Sequence, residues 1–97
     1  MEYSFDELLD RLKHEDVWAH SQAALKIGKF RNEAAVEPLL TLMRNDNALS
    51  IFAAASSLKE IGSPLSIEPL MEIAEGRNYA PYARYHAKLL LAALQSE

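Results

Sequence analysis

The segment Val36-Glu37-Pro38-Leu39-Leu40 returns as Ile67-Glu68-Pro69-Leu70-Met71, and a fainter copy, Phe5-Asp6-Glu7-Leu8-Leu9, stands near the start of the chain. Successive copies begin at residues 5, 36 and 67, a constant spacing of 31. A fixed period in this range marks a solenoid, whose units bury their apolar faces only against one another. Such units usually build binding surfaces rather than catalytic clefts.

Composition sets the outer limits. The 97 residues suffice for a single domain, residues 1–97, with one modest core. The formal net charge of -4 argues against wholesale binding of nucleic acid or an anionic membrane, which needs a basic footprint. No cysteine is present, so disulfides and thiol-ligated metals are excluded. The acidic start, Met1 to Glu7, does not read as a signal peptide, and no apolar run is long enough to span a bilayer. The expected location is cytoplasmic.

Periodicity and punctuation mark six helices and no strand, an all-α chain of three antiparallel helix pairs. Ser4 and Glu7 form a capping-box pair opening a helix from about Phe5 to Lys13, with Phe5, Leu8, Leu9 and Leu12 on one face. Asp16 caps a second helix that stops near Gly28, and a third runs from about Glu33 to Arg44. The polar run Asn45-Asp46-Asn47 opens a fourth, Ala48 to Ile61; Gly62-Ser63-Pro64 closes it and starts the fifth. After Glu75-Gly76-Arg77-Asn78, a sixth helix fills about Ala80 to Gln95.

Two registers link these segments. The odd helices repeat at 31, aligning Leu8, Leu39 and Leu70; the even helices align at 33, as in Ser21, Ala54, Ala87 and Leu25, Leu58, Leu91. Pro38 and Pro69 would fall in the second turn of their helices, where a ring removes a bond and clashes. A bend or a late helix start is expected at both.

The run Ala54-Ala55-Ser56-Ser57-Leu58-Lys59-Glu60-Ile61-Gly62, followed by Ser66-Ile67-Glu68-Pro69-Leu70-Met71, resembles the HEAT repeat, in particular its short bacterial phycobilisome-lyase-like subclass. Gln22 to Gly28 with Ala35 to Leu40 is similar, one residue shorter before its glycine, and Tyr82 to Ala87 opens a third, partial unit. Trp18 and Ile51 stand where the subclass carries an arginine, and Arg84 matches it. The resemblance implies a HEAT-like superhelix and an adaptor or scaffold role in protein-protein interaction. An auxiliary subunit similar to bilin-lyase factors is the alternative, with Arg77, Arg84 and Lys88 near Tyr79 and Tyr82 as its pigment cluster. Nucleic-acid binding ranks last.

Two candidate surfaces follow. One residue after Phe5, Val36 and Ile67 come Asp6, Glu37 and Glu68, with Asp10 and Glu72 four further on and Thr41 between them in register. Stacking should align these carboxylates as a ridge on the odd helices, expected on the concave side, where a basic protein surface would dock. The second is the sixth helix, whose Tyr79, Tyr82, Tyr85, Arg84 and Leu91 belong to an arc wider than one packed face requires. It has no successor within the repeat, so a partner or a second copy of the chain could cover it. Trp18 is expected to pack against neighbouring turns.

Catalytic and metal signals are weak. His14, His20 and His86 show no ligand spacing, the serines lack a nucleophile elbow, and the glycines read as helix terminators rather than a phosphate loop. A non-enzymatic protein with no cofactor and no metal is expected.

Overall fold

A computed structural model describes residues 2–96, and side-chain caps open α1, α2 and α4 as well as the 3₁₀ turns that precede α3 and α5. The six helices are α1 (Phe5–Leu12), α2 (Val17–Ile27), α3 (Val36–Met43), α4 (Ala48–Ile61), α5 (Ile67–Glu75) and α6 (Pro81–Gln95). No strand occurs among the described residues. Ser4 and Glu7 close a reciprocal capping box on α1: the Glu7 amide donates to Ser4 Oγ at 3.2 Å and the Ser4 amide to Glu7 Oε1 at 2.8 Å. Asp16 Oδ1 accepts from the Trp18 amide at 2.8 Å, and Asn47 Oδ1 accepts from the Leu49 amide at 2.9 Å. These two side chains satisfy the orphan donors that open α2 and α4.

The prolines are accommodated by a late start. A single 3₁₀ turn, Glu33–Ala35 or Pro64–Ser66, precedes α3 or α5, and the α-helix proper begins at Val36 or Ile67. Pro38 and Pro69 therefore sit third in their helices, within the first turn. Amides there have no intrahelical partner, so the missing N–H costs no hydrogen bond.

The even helices do not share one register. Asp16 and Asn47 cap α2 and α4, Arg31 and Gly62 end the two segments in the left-handed region, and Asn32 and Ser63 cap the turns that follow. Each pair is 31 apart, matching the odd helices. Burial agrees: Ala23 with Ala54, Ala24 with Ala55 and Ile27 with Leu58 are buried, whereas the 33-residue pairing would set buried Ile27 against exposed Glu60. The expected spacing of 33 holds only from α4 to α6, where Ser50, Ala54 and Ser57 match Ala83, Ala87 and Leu90. One extra residue in α5 and one in the connection after it account for the difference. Gly28 and Gly62 are consequently not equivalent. Gly28 lies in ordinary right-handed backbone where α2 tightens into the 3₁₀ turn Gly28–Phe30.

Helix pairs stack into a slab of principal extents 38 × 29 × 15 Å, with α1, α3 and α5 in one layer and α2, α4 and α6 in the other. Between the layers lie Leu39, Leu40, Met43, Ile51, Leu58, Leu70 and Ile73, all fully buried. Removing side chains of this size from water stabilises by about 1.5–3 kcal/mol each. Packing within the layers is unequal. Helix α4 lies against both α2 and α6, while α1 barely meets α3, and α3 reaches the turn before α5. Small buried residues, Ala23, Ala24, Ala53, Ala54, Ala83 and Ala87, let the even helices approach closely. A two-layered array curves toward its tighter layer, so the even helices form the inner side and the odd helices the outer side.

Polar contacts tie the first unit to the second. His20 is buried, and its Nδ1 donates to the His14 carbonyl at 2.9 Å, which leaves Nε2 to accept from the Ser50 hydroxyl at 2.6 Å. Ser57 Oγ donates to the Ala24 carbonyl and accepts from the Gly28 amide at 3.1 Å. A Cβ on Gly28 would lie 2.6 Å from that hydroxyl and 2.9 Å from Ser57 Cα, so only glycine permits the approach.

Candidate functional site: two oppositely charged layers

Asp6, Glu37 and Glu68 occupy the second position of α1, α3 and α5, and all three are exposed. A carboxylate in the first turn complements the positive end of the helix dipole, so the same position serves local stability as well as surface charge. Asp10 and Glu72 are also exposed. The stacking register thus brings the five predicted carboxylates onto one layer. It is the outer layer, not the concave side expected from the sequence, because the small residues that draw helices together belong to the even layer.

The ridge is not uniformly free of cations. Arg44 reaches Glu72 at 3.9 Å, the one ion pair among the described residues, at an exposed position where such a pair contributes about 0–1 kcal/mol. Lys13 and Glu37 line one shallow depression of about 310 Å³ with Pro38 and Thr41. Thr41 takes no part in a charge contact; its hydroxyl donates to the Glu37 carbonyl at 3.1 Å. Arg11 turns away from the acids and stacks on the Tyr3 ring, 4.7 Å from its centre.

Charge separates by layer. Helices α1, α3 and α5 carry Asp6, Glu7, Asp10, Glu37, Glu68, Glu72 and Glu75 against Arg11 alone. Helices α2, α4 and α6 carry Lys26, Lys59, Arg84 and Lys88 against Glu60 alone. A net charge of -4 conceals this division.

The predicted residues at the C-terminal end part company. Tyr79 precedes α6 and packs against the core, its ring seated on Gly76, where an added Cβ would approach to 2.7 Å. Leu91 packs against the core and Arg84 is half-buried. Tyr82 and Tyr85 are exposed, Tyr85 to 58%. Of the suggested pigment cluster, Arg77 and Lys88 are exposed. At 100° per residue, Arg84, Lys88 and Gln95 fall on the flank turned away from α4, so this flank of α6 is largely polar. The uncovered apolar side chains lie instead on the inner surface shared with α4.

That inner surface joins Trp18, Tyr82 and Tyr85 to Leu89 and to two residues that sequence reasoning missed, Leu49 and Phe52. Trp18, Leu49 and Tyr82 occupy equivalent first-turn positions of α2, α4 and α6, and all are exposed, Trp18 to 65%. The expected packing role for Trp18 is thereby overturned, since the second position of α2 points to solvent. Phe52 and Tyr85 form the next row, and Leu89 extends the strip. Rings of Phe52, Tyr82 and Tyr85 stand edge-on around His86, with centroids 6.2, 4.5 and 5.4 Å away. Burial among them lowers the His86 pKa from its ordinary value. The 33-residue step from Leu49 to Tyr82 and from Phe52 to Tyr85 was the available signal, but applying it also between α2 and α4 hid the link to Trp18. The arginine-like position shifts likewise: Ile51 and Arg84 are equivalent, and its first-unit counterpart is His20 rather than Trp18.

Helix pairs stacked in two layers define an α-solenoid. The model of the HEAT repeats family matches residues 5–96, so the chain belongs to that family. HEAT repeats generally serve as scaffolds for protein-protein interaction. No curated protein matches the chain. No helix of the described residues is long and apolar enough to cross a membrane, and no group of three potential metal ligands occurs among them.

Proposed function

We propose that the protein is a small, non-catalytic cytoplasmic adaptor that docks a basic protein surface on its outer layer and uses the exposed side of α6 for a further association. The observation that carries this reading is the repetition of an exposed carboxylate at one helical position in all three units, Asp6, Glu37 and Glu68. Aligned like charges steer a complementary partner and fix its register more than they add raw affinity. His20 and Ser50, joined by a hydrogen bond, are both buried between α2 and α4, which supports a structural role for the pair.

Titration of a lysine-rich helical peptide against the wild type and the triple variant Asp6→Asn, Glu37→Gln, Glu68→Gln tests the outer site. The triple variant should bind at least tenfold more weakly and with a shallower salt dependence. Equal affinity would sink the reading.

A further inference from the structure

The groove between α4 and α6 has its own walls, floor and charge. Phe52, Ala55, Ser56 and Lys59 of α4 face His86, Leu89, Leu90 and Ala93 of α6 across a groove of about 350 Å³. Both sets follow the spacing i, i+3, i+4, i+7, one stripe on each of two neighbouring helices. Small Ala55 and Ser56 leave room between them, while Phe52 and Leu89, 46% and 50% exposed, stand as the opposing walls. The stripe spans about 10 Å along each helix, two turns of a third helix laid into the groove.

Charge selects the occupant. Lys59 is the one lysine or arginine that lines the groove, and no carboxylate lines it. A basic segment would meet its own sign here. A second copy offers no apolar stripe beside its carboxylates, because Leu8, Leu39 and Leu70 are buried in its own core and Met71 is the one large apolar side chain that its acid-bearing helices expose. We propose that the α4–α6 groove binds an acidic amphipathic helix of a partner protein, with leucine or phenylalanine side chains seated between Phe52 and Leu89 and carboxylates beside Lys59. The proposal rests on the reading of the protein as an adaptor, yet it concerns the face opposite the acidic ridge, so one molecule would join partners of opposite charge.

The probe is a labelled synthetic amphipathic peptide of about four helical turns with leucines on one face and glutamates on the other, compared with a twin carrying lysines for glutamates. Fluorescence anisotropy against the full chain should show the glutamate peptide binding at least tenfold more tightly than its twin. Lys59→Glu should reverse the preference, and Leu89→Asp should abolish binding of both peptides while circular dichroism stays unchanged. The Asp6→Asn, Glu37→Gln, Glu68→Gln variant should bind the glutamate peptide as the wild type does, which separates this site from the outer one. Equal binding of the two peptides, no binding of either, or indifference to Lys59→Glu overturns the proposal. Light scattering that reveals a dimer dissociated by Leu89→Asp overturns it too, by assigning the groove to a second copy.

Discussion

The junction between the first and second units is closed by hydrogen bonds, whereas that between the second and third is closed almost wholly by apolar contact. At the first, Ser50 meets His20, Ser57 clasps the end of α2, and Ser63 Oγ donates to Glu33 Oε2 at 2.5 Å. One register step later Ala83 stands for Ser50 and Leu90 for Ser57, and the polar clasp is gone. Hydrogen bonds have direction, so a satisfied buried set fixes one alignment of two helices. Apolar contact fixes volume more than direction. The groove opens at the second junction, where α6 is held by packing and one face of it is free to receive a helix.

Substitutions at matched positions break this contrast in a predictable order. Leu90→Ala should cost about 2–5 kcal/mol by removing a buried side chain from the junction that relies on packing. Hydrogen exchange should then rise in α6 ahead of α2; equal acceleration in both would show that the junctions are not separable. At the first junction Ser57→Ala should cost about 1–3 kcal/mol, because the Gly28 amide and Ala24 carbonyl lose a buried partner. Gly28→Ala should cost a similar about 1–3 kcal/mol by crowding. Chemical denaturation measures both, and a silent Ser57→Ala would remove the polar clasp from the account.

Smaller changes sharpen the comparison. Arg31 holds a φ of 50°, where its counterpart Gly62 has 62°. Arg31→Gly should raise stability by a few tenths to about 1 kcal/mol, the relief of left-handed strain less the entropy that glycine loses on folding. No gain in melting temperature would mean that the arginine side chain offsets the strain. The smallest effect concerns His86. Its folded pKa lies below the ordinary 6.5, so as pH falls through that value the unfolded chain takes up a proton that the folded chain resists, and stability declines. Above it the contribution is fully present. His86→Gln should flatten the acid limb of the stability profile between the ordinary pKa and the lowered one.

The repeat, the caps and the late helix starts were legible because each depends on local chemistry. Ser4, Asp16 and Asn47 cap whatever follows them, and Pro38 and Pro69 dictate where an α-helix begins. The outer carboxylates were legible for the same reason, since one register served all three odd helices. What escaped depends on counts accumulated between elements. Two residues added between the starts of α5 and α6 displaced the pairing of the even helices, and with it the neighbours of Trp18. Sidedness escaped too. Which layer is inner follows from how closely helices approach, a property of Ala54 and Ala87 facing neighbours that periodicity alone does not position.

The division of charge between layers has a kinetic consequence. The exposed carboxylates of the odd helices make one broad face of a slab only 15 Å thin more negative than the other, which gives the molecule a dipole moment across its layers. A charged body approaching from solution turns such a slab before touching it, so the first encounter already presents the complementary side. The torque acts within roughly the 8 Å screening length at physiological salt. Productive collisions should therefore become rarer as ionic strength rises, even where the final contacts are apolar.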